Sequence, residues 1–314
     1  MKGAVLGIDT SCYTTSVACF GASGVLYDGR KILPVQRGDR GLRQSEGVFL
    51  HTRQLPPLVE EALSTVPPEK IAAVACSRSP VDRTDSYMPV FLTGMGVARA
   101  VSASLQVPLL SLDHQSGHIR AALIGNEELI AGPFYAVHLS GGTTDLLSVE
   151  VKTPGAFAIE PLGCSEDLHA GQLVDRVGVL TGCGFPAGQE MEALARQATE
   201  RDLRIPAAVR DLTCSLSGAE TAARRALEQG RPGPEVAYGI YDLLARTLTK
   251  LLAHAALRRG ERPVLLCGGV ASSLLLRELL KERCQLPLCF GESRFSSDNA
   301  VGVAALGYDR EVAS

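Results

Sequence analysis

The sequence lacks the features of a membrane or exported protein. None of its apolar runs approaches the roughly 18 residues that a membrane-spanning helix requires. The N-terminal stretch MKGAVLGIDTSCYTTS has a single lysine and an apolar run of strand length. A signal peptide has a longer apolar region and a cleavage site. We therefore expect a cytoplasmic protein without a membrane segment.

Signs of a disulfide framework are absent as well. The 9 cysteines include no C-x-x-C pair, their number is odd, and no export signal accompanies them. A thiol within an apolar, strand-like run usually acts as a small core residue. The cysteines in such runs are Cys19, Cys76, Cys267 and Cys289. We expect reduced, structural cysteines.

A general surplus of positive charge is also missing. The net charge is −3 and the isoelectric point is about 6.1, whereas proteins that bind nucleic acid with their whole surface usually carry a basic surplus. The segment from Asp28 to Arg53 is a local exception, with 6 basic against 3 acidic residues. Its basic residues are Arg30, Lys31, Arg37, Arg40, Arg43 and Arg53. We interpret it as a solvated loop, with a phosphate-contacting patch as the alternative.

The order of apolar segments predicts a duplicated α/β protein. A strand, a polar turn and a second strand over 3–20 recur at 133–151, and helices and buried strands follow each copy. This is the layout of a two-lobed actin-like α/β fold with a duplicated βββαβα core. We expect an N-terminal lobe over 1–125 and a C-terminal lobe over 126–297. A terminal helix over 298–314 is expected to pack back on the first lobe.

Apolar spacing also places individual elements. It predicts a helix over 48–63, following a loop that includes 38–47, and a strand over 71–77. The continuous apolar character of that strand is typical of a sheet that is covered on both faces.

Two hairpin turns are suited to an anionic ligand. Asp9-Thr10-Ser11 follows the first strand, and 140–145, SGGTTD, follows the strand of the second half. The N–H groups of such turns can converge on phosphate, and glycine lets the ligand approach. Gly268-Gly269 is a third feature of this kind, between a strand and a helix whose N-terminus favours negative charge. Its alternative role is strand–helix packing alone.

A histidine pair indicates a metal site. His114 and His118 are four residues apart at a strand-to-helix junction, so both imidazoles lie on one helical face. Further candidate ligands are His138 and Asp298, for which a core histidine and a helix cap are the alternatives. Three histidines and one carboxylate suit zinc or ferrous iron. Peptidase chemistry is disfavoured, because Gln115 stands where the H-E-x-x-H motif has its glutamate.

In order and spacing, these motifs resemble those of the TsaD/Gcp family of threonylcarbamoyl transferases, once described as O-sialoglycoprotein endopeptidases. The likeness runs nearly from end to end of the chain. The matching segments are GIDTSC, HTRQLPPL, DHQSGH, LSGGTTDL, DRVGVLTGCGFPAG, SLSGAET, LLCGGVASS and SSDNAVG.

The resemblance implies an activity and a site. It implies transfer of a threonylcarbamoyl group from its adenylate to N6 of adenosine 37 in tRNA. It implies one divalent metal ion, Fe or Zn, on His114, His118 and Asp298, with His138 at a position where some relatives have a tyrosine ligand. We assign catalytic roles to Asp9 and Ser11 of the first turn. The implied nucleotide or adenylate contacts are Ser140, Gly141, Gly142, Thr143, Asp175, Gly188, Gly268, Gly269 and Ser273. A partner of the TsaB type or a homodimer is also implied.

The sequence departs from the family pattern at this site. Family members have two acids in the first turn where this chain has Tyr13-Thr14, and a ligand-contacting asparagine where it has Ser273. These departures suit a diverged paralogue. They leave open a second hypothesis, a non-catalytic nucleotide- or metal-binding protein that acts through a protein partner.

Overall fold

The computed structural model describes residues 3–11, 13–34 and 42–312. Arg37, Asp39 and Arg40 of the basic segment lie outside the described residues. The chain divides into two compact units. The first unit comprises Met1–Ile124, Val151–Ala158 and Ser297–Ser314, and the second comprises Gly125–Glu150 and Ile159–Ser296.

Strands and helices alternate along most of the chain. The strands are β1 (Ala4–Asp9), β2 (Thr14–Gly21), β3 (Gly24–Ile32), β4 (Ile71–Ser79), β5 (Leu109–Asp113), β6 (Phe134–Leu139), β7 (Thr144–Thr153), β8 (Ala156–Cys164), β9 (Ala208–Arg210), β10 (Thr213–Ser215), β11 (Val264–Cys267) and β12 (Leu288–Phe290). The α-helices are α1 (Gln44–Thr65), α2 (Phe91–Leu105), α3 (His114–Ala122), α4 (Ala170–Leu180), α5 (Gly188–Ala195), α6 (Ser217–Glu228), α7 (Gly233–Arg259), α8 (Leu274–Arg283) and α9 (Val301–Glu311).

The sheet of the first unit has the order β3-β2-β1-β4-β5. β1 is antiparallel to β2 and parallel to β4, and β4 is parallel to β5. Helices α1 and α2 contribute to a core on one side of this sheet, where Leu6 and Ile8 meet Leu55 and Ala98. On the other side, Val5 and Ala73 meet Val303 of α9. The central strands are continuously buried because helices cover both faces.

The main sheet of the second unit repeats this order as β8-β7-β6-β11-β12. β6 is antiparallel to β7 and parallel to β11, which is parallel to β12. The first strand of each half, β1 or β6, is the central strand of its sheet. The repeat of topology confirms the duplicated βββαβα core expected from the sequence.

Several elements differ from the sequence expectations. α1 begins at Gln44, inside the stretch predicted as loop, and continues through Pro56 and Pro57 without a break. The hairpin of β9 and β10, three residues in each strand, was not predicted because such short segments carry no clear periodicity. Among the described residues, no helix has the length and hydropathy needed to cross a bilayer.

Candidate metal centre

Polar side chains collect at one edge of the first unit's sheet. Asp9 ends β1, Ser77 lies near the end of β4, and Asp113 ends β5 directly before His114. Because β1, β4 and β5 are mutually parallel, their carboxyl ends meet at the same edge. Residues distant in sequence are thus brought together by strand pairing alone.

The cap of α3 positions the two histidines. Asp113 accepts hydrogen bonds at 2.8 Å from the backbone N–H of Ser116 and at 2.6 Å from its hydroxyl, which fixes the first turn. His114 and His118 then lie one turn apart on the same face, as their spacing predicts. Their Nε2 atoms are 2.9 Å apart, and their ring centroids 4.3 Å.

Asp298 completes a group of three potential ligands. Its Oδ1 lies 3.2 Å from Nε2 of His118 and 3.6 Å from Nε2 of His114. The capping role considered for Asp298 falls to its neighbour: the Asn299 side chain accepts hydrogen bonds from the N–H groups of Val301 and Gly302. The Asp298 carboxylate therefore faces the histidines, and α9 begins at Val301 rather than at 298.

The geometry of these three residues fits one metal ion. Ligand bonds of about 2.0–2.1 Å in a tetrahedral site put neighbouring ligand atoms about 3.3 Å apart. The three separations between Nε2 of His114, Nε2 of His118 and Oδ1 of Asp298 are 2.9, 3.2 and 3.6 Å, on either side of that value. Two imidazoles and a carboxylate are donors that suit zinc or ferrous iron.

Asp9 holds His114 in the orientation that a metal site requires. Its Oδ2 lies 2.6 Å from Nδ1 of His114 and accepts a hydrogen bond at 2.8 Å from the hydroxyl of Ser77. Its Oδ1 accepts from the N–H of Ser11 at 2.7 Å. A carboxylate on one ring nitrogen fixes the tautomer and leaves the other nitrogen for the metal. The structure thus places Asp9, which we expected to be catalytic, behind His114.

Electrostatics at this centre favour positive charge. Burial raises the pKa of Asp298, but hydrogen bonds and charge interactions with His114 and His118 outweigh burial and hold it well below its ordinary value. Burial lowers the pKa of His114, whereas the charge of Asp9 and the hydrogen bonds to Asp298 and Asp9 raise it well above the ordinary value. The carboxylates of Asp9, which is buried, and Asp298, which is partly exposed, therefore stabilise a cation at the imidazoles.

A second acidic group has another explanation. Carboxylate oxygens of Glu200, Asp202 and Glu235 also lie close together. The guanidinium of Arg231 contacts all three, at 3.6, 3.2 and 3.0 Å. We interpret this group as an ion-pair network.

In the second unit, the turn after β6 is open toward solvent. The N–H of Ser140 bonds to the Thr143 carbonyl oxygen at 2.9 Å, which closes the turn. Gly141 and Gly142 are exposed, and a Cβ at either would meet no atom within 4 Å. The N-terminus of α4 packs beneath the turn, since the N–H of Gly171 donates to the Ser140 carbonyl oxygen at 3.0 Å.

The other predicted nucleotide contacts also belong to the second unit. Gly268 follows β11 with a φ of +93°, and a Cβ there would lie 2.3 Å from the Leu139 carbonyl oxygen. Asp175 accepts a hydrogen bond at 2.8 Å from the N–H of Ala187, next to Gly188, the first residue of α5. Ser273 caps α8 through the N–H of Leu276, and Gly269 is exposed.

His138 lies on β6, in the second unit. It pairs with Asp145 of β7 and with Cys267 of β11. The other three predicted ligands all belong to the first unit. Metal binding by His138 stays a prediction.

Sequence reasoning missed the supporting residues. Ser77 was read only as part of a buried strand, and Asn299 only as a neighbour of Asp298. Both belong to recognisable patterns, a polar residue near the end of a parallel strand and an Asn before a helix. Neither pattern predicts which groups Ser77 or Asn299 will contact.

These features define a protein of actin-like α/β fold with a candidate mononuclear metal centre. Solved structures share the fold. The (R)-2-hydroxyglutaryl-CoA dehydratase component A of Acidaminococcus fermentans matches 99% of this chain and 99% of its own with a TM-score of 0.61 and 15% identity. HypF of T. kodakarensis matches 99% of this chain and 48% of its own with a TM-score of 0.63 and 14% identity.

Sequence comparison defines the family. The model of TsaD, tRNA N6-adenosine threonylcarbamoyltransferase, matches residues 48–305. The tRNA N6-adenosine threonylcarbamoyltransferase of Thermus thermophilus is 32% identical over 98% of this chain and 92% of the relative. That of Syntrophobacter fumaroxidans is 30% identical over 97% and 93%. The chain belongs to the TsaD family, as the resemblance indicated.

Proposed function

We propose that this protein transfers the threonylcarbamoyl group of an adenylate to N6 of adenosine 37 in tRNA. The observation that carries the proposal is the convergence of His114, His118 and Asp298 on one point, with Asp9 orienting His114. Family membership supplies the reaction class. The convergence of the three potential ligands is the reason to expect that this protein catalyses the same transfer as its family.

The reaction is an acyl-type transfer. The bond between the carbamoyl carbon and the phosphate oxygen of the adenylate breaks, and a bond from that carbon to N6 forms. AMP leaves with the bonding electron pair, and the amine loses one proton. The groups required are therefore a binding site for an anionic nucleotide and a source of positive charge near the carbamoyl oxygen.

The second unit supplies groups suited to the nucleotide. The exposed turn at Gly141 and Gly142 has backbone N–H groups of the kind that bind phosphate. That of Gly142 donates to the Ser140 hydroxyl at 3.3 Å, and a Cβ at either glycine would meet no atom within 4 Å. Oδ1 of Asp175 accepts the hydrogen bond from Ala187, and Oδ2 is the oxygen that we propose for the ligand. Burial raises the pKa of Asp175 more than the hydrogen bond from Ala187 lowers it. We propose that Gly188, Gly268, Gly269 and Ser273 line the same ligand, and that Thr143 shapes the turn.

The first unit would hold the metal ion. His114, His118 and Asp298, all in this unit, are the ligands that we propose. Once bound, zinc or ferrous iron would act as a Lewis acid toward the carbamoyl oxygen. Asp9 and Ser77 keep the His114 ring in place. The Ser11 hydroxyl is buried and has no hydrogen-bond partner among the described residues.

A specific observation favours the second hypothesis, a binding protein without catalysis. Asp9 is completely buried and already bonded to Ser11, Ser77 and His114. At the positions of the family's paired acids, Tyr13 is half exposed and Thr14 is buried. The described part of the first turn therefore presents no free carboxylate to accept the amine proton. In this alternative, the bound nucleotide would serve to stabilise a complex with a protein partner.

A reconstituted assay separates the two hypotheses. Purified protein is incubated with threonylcarbamoyl-adenylate and an unmodified ANN-decoding tRNA, and nucleosides are quantified by mass spectrometry. We expect modified adenosine with this tRNA and none with a transcript carrying guanosine at position 37. A protein of the TsaB type is added in a parallel reaction, because family resemblance implies such a partner. Nucleotide binding without modified nucleoside in either reaction would overturn the transferase and support the binding protein.

A further inference from the structure

Helices α3 and α9 approach each other most closely through two glycines. A Cβ added at Gly302 of α9 would lie 1.8 Å from the carbonyl oxygen of Gly117 and 2.9 Å from the backbone nitrogen of Ala121, both on α3. A Cβ added at Gly117 would lie 2.9 Å from Cγ2 of Val303. The two helix backbones are therefore in direct contact, with no room for a methyl group at Gly302.

The two glycines are close in the chain to the proposed metal ligands. Gly117 directly precedes His118 and lies within one turn of His114. Gly302 is four residues after Asp298, and its N–H donates to the Asn299 side chain at 3.4 Å. The separation of α3 from α9 therefore sets how far Asp298 stands from the imidazoles.

An ion pair between a buried arginine and a partly exposed aspartate joins the same two helices further along. Arg120 of α3 donates to Asp309 of α9 at 2.6 and 3.2 Å, and the Arg120 side chain is 7% exposed. Arg120 also lies over the ring of Phe20. With the helices joined at this ion pair, a wider spacing at the glycines would tilt them apart at the end where the ligands lie.

We propose that Gly117 and Gly302 are positioning residues of the metal centre. Their contact keeps Oδ1 of Asp298 within 3.2 Å of Nε2 of His118. The inference rests on the proposed metal site and adds residues that touch neither metal nor substrate. Helix propensity gives no reason for glycine at these positions, because alanine stabilises a helix interior relative to glycine.

The test uses a swap of volume between the two helices. Gly117→Ala adds a methyl group against Val303, and Val303→Ala removes the atom that this methyl group would meet. We measure zinc affinity of the full-length protein by competition with a chromophoric chelator, and thermal unfolding in the presence of chelator. Gly117→Ala should weaken zinc binding at least 10-fold. The double variant Gly117→Ala/Val303→Ala should return to within about 3-fold of wild type.

A glycine on the opposite face of α9 provides the matched control. A Cβ at Gly307 would meet Val5 at 2.8 Å and Ala75 at 3.0 Å, which belong to the sheet and not to α3. Gly307→Ala should lower the unfolding temperature but keep zinc affinity within about 3-fold of wild type. Gly302→Ala, which meets backbone atoms, should weaken zinc binding further where it folds.

The outcomes distinguish this inference from the proposed function. If the wild type binds no zinc or ferrous iron, the metal site itself is refuted. If the wild type binds metal and folded Gly117→Ala binds equally well, only the positioning role is refuted. The positioning role is also refuted if Val303→Ala alone binds zinc normally while the double variant binds zinc as weakly as Gly117→Ala.

Discussion

The two five-stranded sheets have the same strand order but end in different chemistry. In the first unit, the ends of β1, β4 and β5 carry Asp9, Ser77 and Asp113, followed at once by His114. In the second unit, β6 is followed by the open turn at Gly141, and β11 by Gly268 with its positive φ. One copy of the scaffold presents charged side chains, and the other presents backbone.

Under the proposed function, the two copies of the fold have different tasks. A metal ion needs a few donor atoms held rigidly, and in the first unit the hydrogen bond between Asp9 and His114 supports this arrangement. A nucleotide needs space and backbone N–H groups, which exposed glycines provide. We therefore expect substitutions in the first unit to reduce metal binding, and substitutions in the second unit to reduce AMP binding or stability.

The largest effect should come from a ligand in the first unit. His118→Ala removes one of three converging donors, so metal content should fall to background. Formation of modified nucleoside should drop more than the 10–100-fold typical of outer-shell changes. Metal is measured by plasma mass spectrometry and activity by the tRNA assay. His254→Ala, on α7, is the control, and a normal metal content in His118→Ala would refute the ligand assignment.

In the second unit, Gly268 should matter for folding. Alanine there would require a φ of +93° and would place Cβ 2.3 Å from the Leu139 carbonyl oxygen. We expect Gly268→Ala to lower the free energy of unfolding by about 3 kcal/mol or more, measured by denaturant titration. Gly141→Ala meets no atom within 4 Å, so it should leave stability within about 0.5 kcal/mol of wild type and weaken AMP binding. Equal stability losses for both variants would contradict this distinction.

A smaller effect is expected for Asp9, which contacts the proposed ligand His114. Asp9→Asn keeps the shape of the side chain but removes the charge that faces Nδ1 of His114. Zinc affinity should fall by roughly 10–100-fold, with full occupancy recovered at high zinc concentration. The competition titration used for Gly117 measures this directly. If Asp9→Asn instead lost activity at full zinc occupancy, the catalytic role first assigned to Asp9 would be favoured.

The smallest effect concerns a buried histidine on α1. His51 is fully buried, its Nδ1 lies 2.8 Å from the Thr15 hydroxyl, and burial lowers its pKa to about 4 against an opposing effect of Asp9. The unfolded chain binds this proton near pH 6.5, so stability present above that pH is lost as pH falls toward 4.

Between pH 7.5 and pH 5 this loss amounts to about 2 kcal/mol, measured by denaturant titration. His51→Asn retains a group able to bond Thr15 but has no titrating ring. Its stability should therefore depend less on pH over this interval. Parallel pH profiles for the variant and the wild type would show that His51 does not cause the loss.

Sequence patterns predicted the frame of the molecule well. The hairpin repeat of 3–20 and 133–151 predicted duplication, and apolar runs placed the central strands within a few residues. The start of α1 and the hairpin of β9 and β10 were missed, because short or polar segments are decided by the contacts around them. At the site, helical spacing alone brought His114 and His118 together.

Contacts between distant segments could not be predicted in the same way. Asp298 was a candidate ligand among several, since an acid before a helix is more often a cap. Tertiary structure assigned the cap to Asn299 and turned Asp298 toward His118. Asp9 was expected to be catalytic, and its contact with Nδ1 of His114, which strand pairing creates, could not be predicted from the sequence.

By itself, the sequence determined the alternation of strands and helices, the duplication and the family, because these depend on local periodicity and on ordered motifs. Only the tertiary structure decided which carboxylate faces which imidazole and how closely α3 approaches α9. Those distances arise from the pairing of parallel strands and from two glycines that are 185 positions apart in the chain. No local pattern encodes such a contact, since its energy exists only once both helices have packed on the sheet.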